Sequence, residues 1–104
     1  MKTIEWASGL FEGEGCITKI KSTNRWHLEI EMSDLDVIQD FHTIMGLTTK
    51  ITHRPARKEG HKPTFMSQTR SQATVKRVLE LLLPYFGQRR AYQALNCLDE
   101  LDNI

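Results

Sequence analysis

Trp6-Ala7-Ser8-Gly9-Leu10-Phe11-Glu12-Gly13-Glu14-Gly15 is a short apolar segment that runs directly into two closely spaced carboxylates. Gly9 and Gly13 lie four apart, so on a helix they share one face and let a second backbone approach closely. Glycine inside a soluble helix costs up to about 1 kcal/mol relative to alanine, so two of them in one helix need a packing reason. A partner helix is the expected reason, and Leu10 and Phe11 are expected to point to the core. Glu14, between Gly13 and Gly15, falls where the helix must stop, its carboxylate unobstructed toward a ligand outside. The plainer alternative is a glycine cap followed by a solvated glutamate. The small-residue spacing before Glu14 and the strand-like run after it favour a functional carboxylate.

Working outward, Thr3 to Gly13 reads as the first helix with Thr3 as N-cap. Cys16 to Lys21 and Trp26 to Ser33 read as strands around the polar turn Ser22-Thr23-Asn24-Arg25. Trp26, Leu28, Ile30 and Met32 alternate with Arg25, His27, Glu29 and Glu31, the period of a half-buried strand with one polar face. In the first strand Ile17 shares its parity with Lys19 and Lys21, while Cys16, Thr18 and Ile20 share the other. Pattern alone leaves open which of its faces is wet.

Ser33 is expected to cap a second helix, with Asp34 and Asp36 at its start, Ile38, Phe41 and Met45 inward, and Gly46 at its end. Thr48 to Arg54 and Thr64 to Arg70 read as a second hairpin around a basic loop. Ser71 opens a third helix with Val75, Val78, Leu79 and Leu82 inward, ending at Pro84. A last helix from about Gln88 is expected to bury Ala91, Leu95, Leu98 and Leu101.

Length and charge set outer bounds. At 104 residues the chain fits one domain over 1–104, small enough that dimerisation would add useful burial. Net charge is only +1, yet residues 48–70 hold six Lys or Arg against one acid. Cys16 and Cys97 form no C-x-x-C pair, which suggests neither a disulfide framework nor a zinc site. His27, His42, His53 and His61 share no ligand spacing and read as scattered surface residues. No signal peptide or membrane-length apolar stretch is read, so a cytoplasmic protein is expected.

Ala7 to Gly15 resembles the nine-position motif of the LAGLIDADG homing endonucleases, with Glu at both acidic places. The order αββαββα plus a C-terminal helix is also that family's order, so the resemblance covers nearly the whole chain. It implies an α+β fold whose antiparallel curved sheet forms a DNA-binding saddle. It further implies a homodimeric, site-specific DNA endonuclease of bacterial, phage or organellar origin, cutting near-palindromic duplex DNA with a divalent metal. A non-cleaving DNA-binding regulator or an RNA-splicing maturase is the alternative within the fold.

The same resemblance implies site residues. Glu14, with the Gly13 carbonyl, would hold Mg²⁺, or Mn²⁺ or Ca²⁺ in its place. Pro84-Tyr85-Phe86 followed by Gln88-Arg89-Arg90 resembles a second family element in which a basic residue approaches the cleavage centre. Arg89 is carried over for it, with Arg90 as the other candidate, and Asp34 matches a polar position nearby. Ala7, Gly9, Leu10 and Gly13 would form the dimer interface. Base or backbone contacts are expected from Lys19, Lys21, Arg25, His27, Glu29, Glu31, Lys50, Thr52, Arg54, Gln68 and Arg70, with loop residues Arg57, Lys58, His61 and Lys62 suited to phosphates.

Overall fold

The computed structural model describes residues 2–103. In chain order the elements are α1 (Ile4–Glu14), β1 (Gly15–Ile20), β2 (Arg25–Met32), α2 (Leu35–Ile44), β3 (Thr52–Arg54), β4 (Thr64–Thr69), α3 (Gln72–Leu82), a 3₁₀ turn (Leu83–Tyr85) and α4 (Gln88–Asp102). The strands form one antiparallel sheet in the order β1-β2-β4-β3. All four helices contribute to a single core against one face of it. Leu28 and Ile30 from β2 meet Phe11 of α1, Ile38 and Phe41 of α2, Leu79 and Leu82 of α3, and Ala94 and Cys97 of α4.

Local chemistry sets most boundaries. Thr3 caps α1, its hydroxyl accepting from the Trp6 N–H at 3.1 Å, and Ser71 caps α3 through Thr74. Gly46, at φ 64°, turns the chain out of α2 in a conformation most side chains disfavour. The Gln72 side chain continues the β2 ladder past its last strand partner: its amide accepts from the Trp26 N–H at 2.9 Å and donates to the Trp26 carbonyl at 2.8 Å.

Several sequence expectations are corrected. Ser33 is not the cap of α2; Asp34 occupies that position, and its side chain makes no capping bond. The segment expected as a strand over Thr48 to Arg54 is a strand only over Thr52–Arg54. The cause is a buried histidine: His42 hydrogen-bonds the Thr49 carbonyl at 2.6 Å and Ser67 Oγ at 2.7 Å, diverting this backbone from the sheet ladder. His42 is therefore an interior residue, and His27, on the other face of the sheet, is covered as well, so neither is a scattered surface residue. In α4 the buried side chains are Arg90, Ala94, Cys97 and Leu98, while Leu95 is exposed and Ala91 only half-buried. The inward stripe begins at Arg90, and the positions four, seven and eight residues on follow it.

Ala7, expected at a dimer interface, is wholly buried within its own chain. Helix α1 runs one residue further than expected, through Glu14. Gly15 follows in an extended conformation, φ −82° and ψ 158°, which any residue can adopt. Its lack of a side chain has a different cause. A Cβ there would lie 2.5 Å from the ring of Phe11, so packing inside the chain requires glycine at this position.

Candidate active site and nucleic-acid interface

At the exit of α1 two glutamates two residues apart have different surroundings. Glu12 is held within the chain: one carboxylate oxygen accepts from the Gly87 N–H, and the other lies 3.5 Å from Arg90 Nε. Gly87 has no Cβ to obstruct this; one would sit 2.9 Å from Glu12 Oε1. Glu14 is exposed, and no hydrogen bond or ion pair among the described residues engages it.

Backbone carbonyls complete the picture, since the last turn of a helix leaves its C=O groups without intrahelical partners. The Phe11 carbonyl accepts from the Gly15 N–H. Arg90 Nη2 donates to the carbonyls of Glu12 at 3.1 Å and Gly15 at 2.9 Å. Among the described residues no side chain donates to the Gly13 carbonyl. A helix-end carbonyl beside a free carboxylate, at the negative end of a helix dipole, suits a hard cation with oxygen ligands. No group of three or more His, Cys, Asp or Glu that could hold a metal ion gathers among the described residues.

Arg89 and Arg90 are adjacent in sequence and opposite in environment. Arg90 is only 6% exposed, with Nη1 donating to Gln93 at 3.0 Å and its guanidinium 5.4 Å from the centre of the Phe11 ring. Arg89, a helical step away, is exposed. Asp34 is exposed at the end of β2 that lies alongside the α1 exit, because Gly15 pairs with Ile30.

Strand register sorts the remaining candidates by face. Paired residues share a face, so Ile17 and Lys19 accompany Leu28 and Trp26 on the helix-packed side. Lys19 there forms an ion pair with Glu100 of α4 and lies 6.0 Å from the Trp26 ring. It does not face the open side with the other candidates, and Lys21 sits in the β1–β2 turn. The open face carries Cys16 and Thr18 of β1, beside Glu29 and His27 of β2. Gln68 pairs with Glu29, Met66 with Glu31 and Thr52, and Thr64 with Arg54.

These side chains already hold one another. His27 Nε2 is 3.0 Å from Gln68 Oε1, Gln68 donates to Thr52 at 3.4 Å, and Glu31 accepts from Thr64 and lies 3.8 Å from Arg54. Arg25, Lys50, Arg70 and the β3–β4 loop with Arg57, Lys58, His61 and Lys62 are exposed around the face. Reading the sequence left the face of Cys16 and Thr18 undecided, and missed Arg90, Gly87 and Glu12 as a linked group. The lysines of β1 hid the first set; the second depends on contacts between distant segments.

The profile of the LAGLIDADG-like domain matches residues 4–83. The chain belongs to the LAGLIDADG family. No curated protein matches it in sequence. Its fold is that of the homing endonuclease I-CvuI, solved with the I-CreI target in 2 mM Mg with the DNA not cleaved: TM-score 0.63, 21% identity, 95% of this chain and 65% of that one. I-CvuI in complex with its own target in 2 mM Ca gives a TM-score of 0.62 at 21% identity, again over 95% and 65% of the two chains. The homing endonuclease I-TnaI matches with a TM-score of 0.69, 16% identity, and 97% of this chain against 72% of that one. The protein thus spans slightly less than two thirds of the I-CvuI chain. Among the described residues no helix is long and apolar enough to cross a membrane.

Proposed function

We propose that this LAGLIDADG protein is a homodimeric, divalent-metal-dependent endonuclease that makes double-strand breaks in near-palindromic DNA. The observation that carries the reading is the free Glu14 carboxylate beside an α1 face with nothing over it. Gly9 and Gly13 are exposed, and a Cβ at either would meet nothing within 4 Å, so packing inside the chain does not require glycine there. A second α1 crossing at those glycines would account for them and would bring a second Glu14 to the first. Half-buried Leu10 would flank the crossing.

Glu14 and the Gly13 carbonyl of each copy are the groups that would hold Mg²⁺, or Mn²⁺ or Ca²⁺ in its place. The ion supplies, when bound, electrophilic activation of the phosphodiester and of water, and relieves phosphate repulsion. Arg89 is free to approach negative charge on the phosphoryl oxygens, which buried Arg90 is not. Asp34, with its carboxylate uncommitted, can orient water at the same end of the sheet.

The open face lies along a groove and reads base edges: Arg25, Arg54 and Arg70 suit guanine, Gln68 adenine, and Glu29 and Glu31 the cytosine amino group. His27 and Thr52 fix the Gln68 amide, while Lys21, Lys50, Arg57, Lys58 and Lys62 meet phosphates. Arg54→Ala or Arg70→Ala should change base preference, whereas Lys58→Ala should weaken all sequences alike and flatten the salt dependence.

The test is incubation with a randomised duplex library and Mg²⁺, sequencing of cut ends, and sedimentation of the same protein. The expected result is a dimer that releases paired breaks about a two-fold axis. Selective retention of duplexes with no cut ends would identify a non-cleaving DNA-binding regulator, and selective retention of a structured RNA a splicing maturase.

A further inference from the structure

Burying a guanidinium is costly unless its charge and its donors are met, so a buried arginine marks a place where the chain needs a specific connection. Arg90 makes one of unusual placement. A single nitrogen, Nη2, joins the carbonyls of Glu12 and Gly15, the residues two before and one after Glu14. The remaining groups hold the guanidinium itself: Gln93 takes Nη1, the Glu12 carboxylate pairs with the charge 3.5 Å from Nε without a hydrogen bond, and the Phe11 ring faces the guanidinium. Arg90 has no freedom to reach a bound phosphate, and Glu14 has no contact of its own to aim it. The direction of the Glu14 carboxylate is set by the backbone on either side of it, and that backbone is pinned by Arg90.

We infer that Arg90 is a positioning residue that fixes the helix-to-strand exit of α1, and with it the aim of Glu14 and of the Gly13 carbonyl at a divalent cation. The inference rests on the assignment of Glu14 as a metal ligand. It assigns the two adjacent arginines different work, with Arg90 acting through the protein and Arg89 on the substrate. Lysine keeps the charge but is a point donor on a flexible stem, and cannot reproduce the planar fork that meets both carbonyls and Gln93 together.

The experiment uses the whole protein with Mn²⁺ as the probe, so it needs no knowledge of the DNA target. Paramagnetic broadening of the amides of Gly13 to Gly15 reads metal binding, and hydrogen exchange at Gly15 reads the exit. In the wild type Mn²⁺ should broaden these amides, and in Glu14→Gln it should not. Failure of that pair refutes the metal reading of Glu14, and the aim at a cation with it. In Arg90→Lys the midpoint of broadening should rise about tenfold and Gly15 exchange should speed about tenfold, with exchange at Leu28 and Ile30 unchanged. In Arg90→Met both shifts should be larger. Wild-type broadening with wild-type Gly15 exchange in a folded Arg90→Lys would overturn the inference while leaving Glu14 as a ligand. Accelerated exchange at Leu28 and Ile30 in step with Gly15 would also overturn it, showing a residue that only supports the fold. Should Arg90→Met fail to fold, Arg90→Lys alone decides between these outcomes.

Discussion

The two faces of α1 use small residues for opposite purposes. On the inner face Ala7, Ser8 and Phe11 are sealed in the core, the Ser8 hydroxyl is bonded to the Ile4 carbonyl at 2.9 Å, and Gly15 makes room for the Phe11 ring. On the outer face Gly9, Gly13 and Glu14 are exposed and nothing stands within 4 Å of a side chain added at either glycine. A glycine on the inside is explained by its neighbours in the chain. A glycine on the outside has no such neighbour among the described residues, and the proposed second copy of α1 would supply one.

Substitutions on the two faces should separate stability from activity. The largest effect is expected from Glu14→Gln, which should abolish cleavage of a selected target while leaving unfolding free energy within about 0.5 kcal/mol of wild type, since Glu14 is a surface residue without contacts. Chemical denaturation together with a cleavage assay checks it, and wild-type cutting would remove the outer face from the chemistry. Gly15→Ala should behave in the opposite way, destabilising the monomer by about 1–3 kcal/mol through overpacking against Phe11. An unchanged denaturation midpoint would show that the ring can yield and that the inner face is looser than its distances indicate.

Gly13→Val sharpens the contrast, because the isolated chain has space for the side chain. Its monomer should fold with stability near wild type, the β-branched side chain being no worse in a helix than glycine. Its dimer content and double-strand cutting should fall together. Sedimentation showing an undiminished dimer would place the subunit contact elsewhere.

The smallest effect extends the comparison to the cysteines. Cys16 is exposed on the open face of the sheet, whereas burial, with a smaller contribution from Glu100, pushes the Cys97 thiol up to about 12. A thiol reacts through its thiolate. Cys97 therefore stays protonated and unreactive throughout pH 7 to 9, and a thiol reagent should modify one cysteine per folded chain and two after denaturation. Rapid reaction of both under native conditions would show that α4 opens readily.

How much of this was legible in the sequence follows from the range over which each signal acts. Thr3, Ser71, Gly46 and the α3 stripe of Val75, Val78, Leu79 and Leu82 were readable because a cap or a helical period is decided within a few residues. In α4 the preference for leucines inside misled: Arg90 fixes the inward face, and Ala94 and Cys97 fit beneath it better than Leu95. The parity of β1 was undecidable locally, since Gly15 opposite Ile30 sets it and that pairing joins two strands. Glu14 was legible from its own flanking residues. The Arg90 connection was not, because nothing near residue 90 announces an acceptor near residue 15.

That separation bears on how the protein is made. Arg90 bonds to carbonyls 75 and 78 positions earlier in the chain. Synthesis proceeds from the N-terminus, so the α1 segment leaves the ribosome long before its anchor exists. The Glu14 turn can be locked only after the start of α4 has emerged, and a product truncated ahead of α4 would carry the acidic motif with no guanidinium to hold it in place.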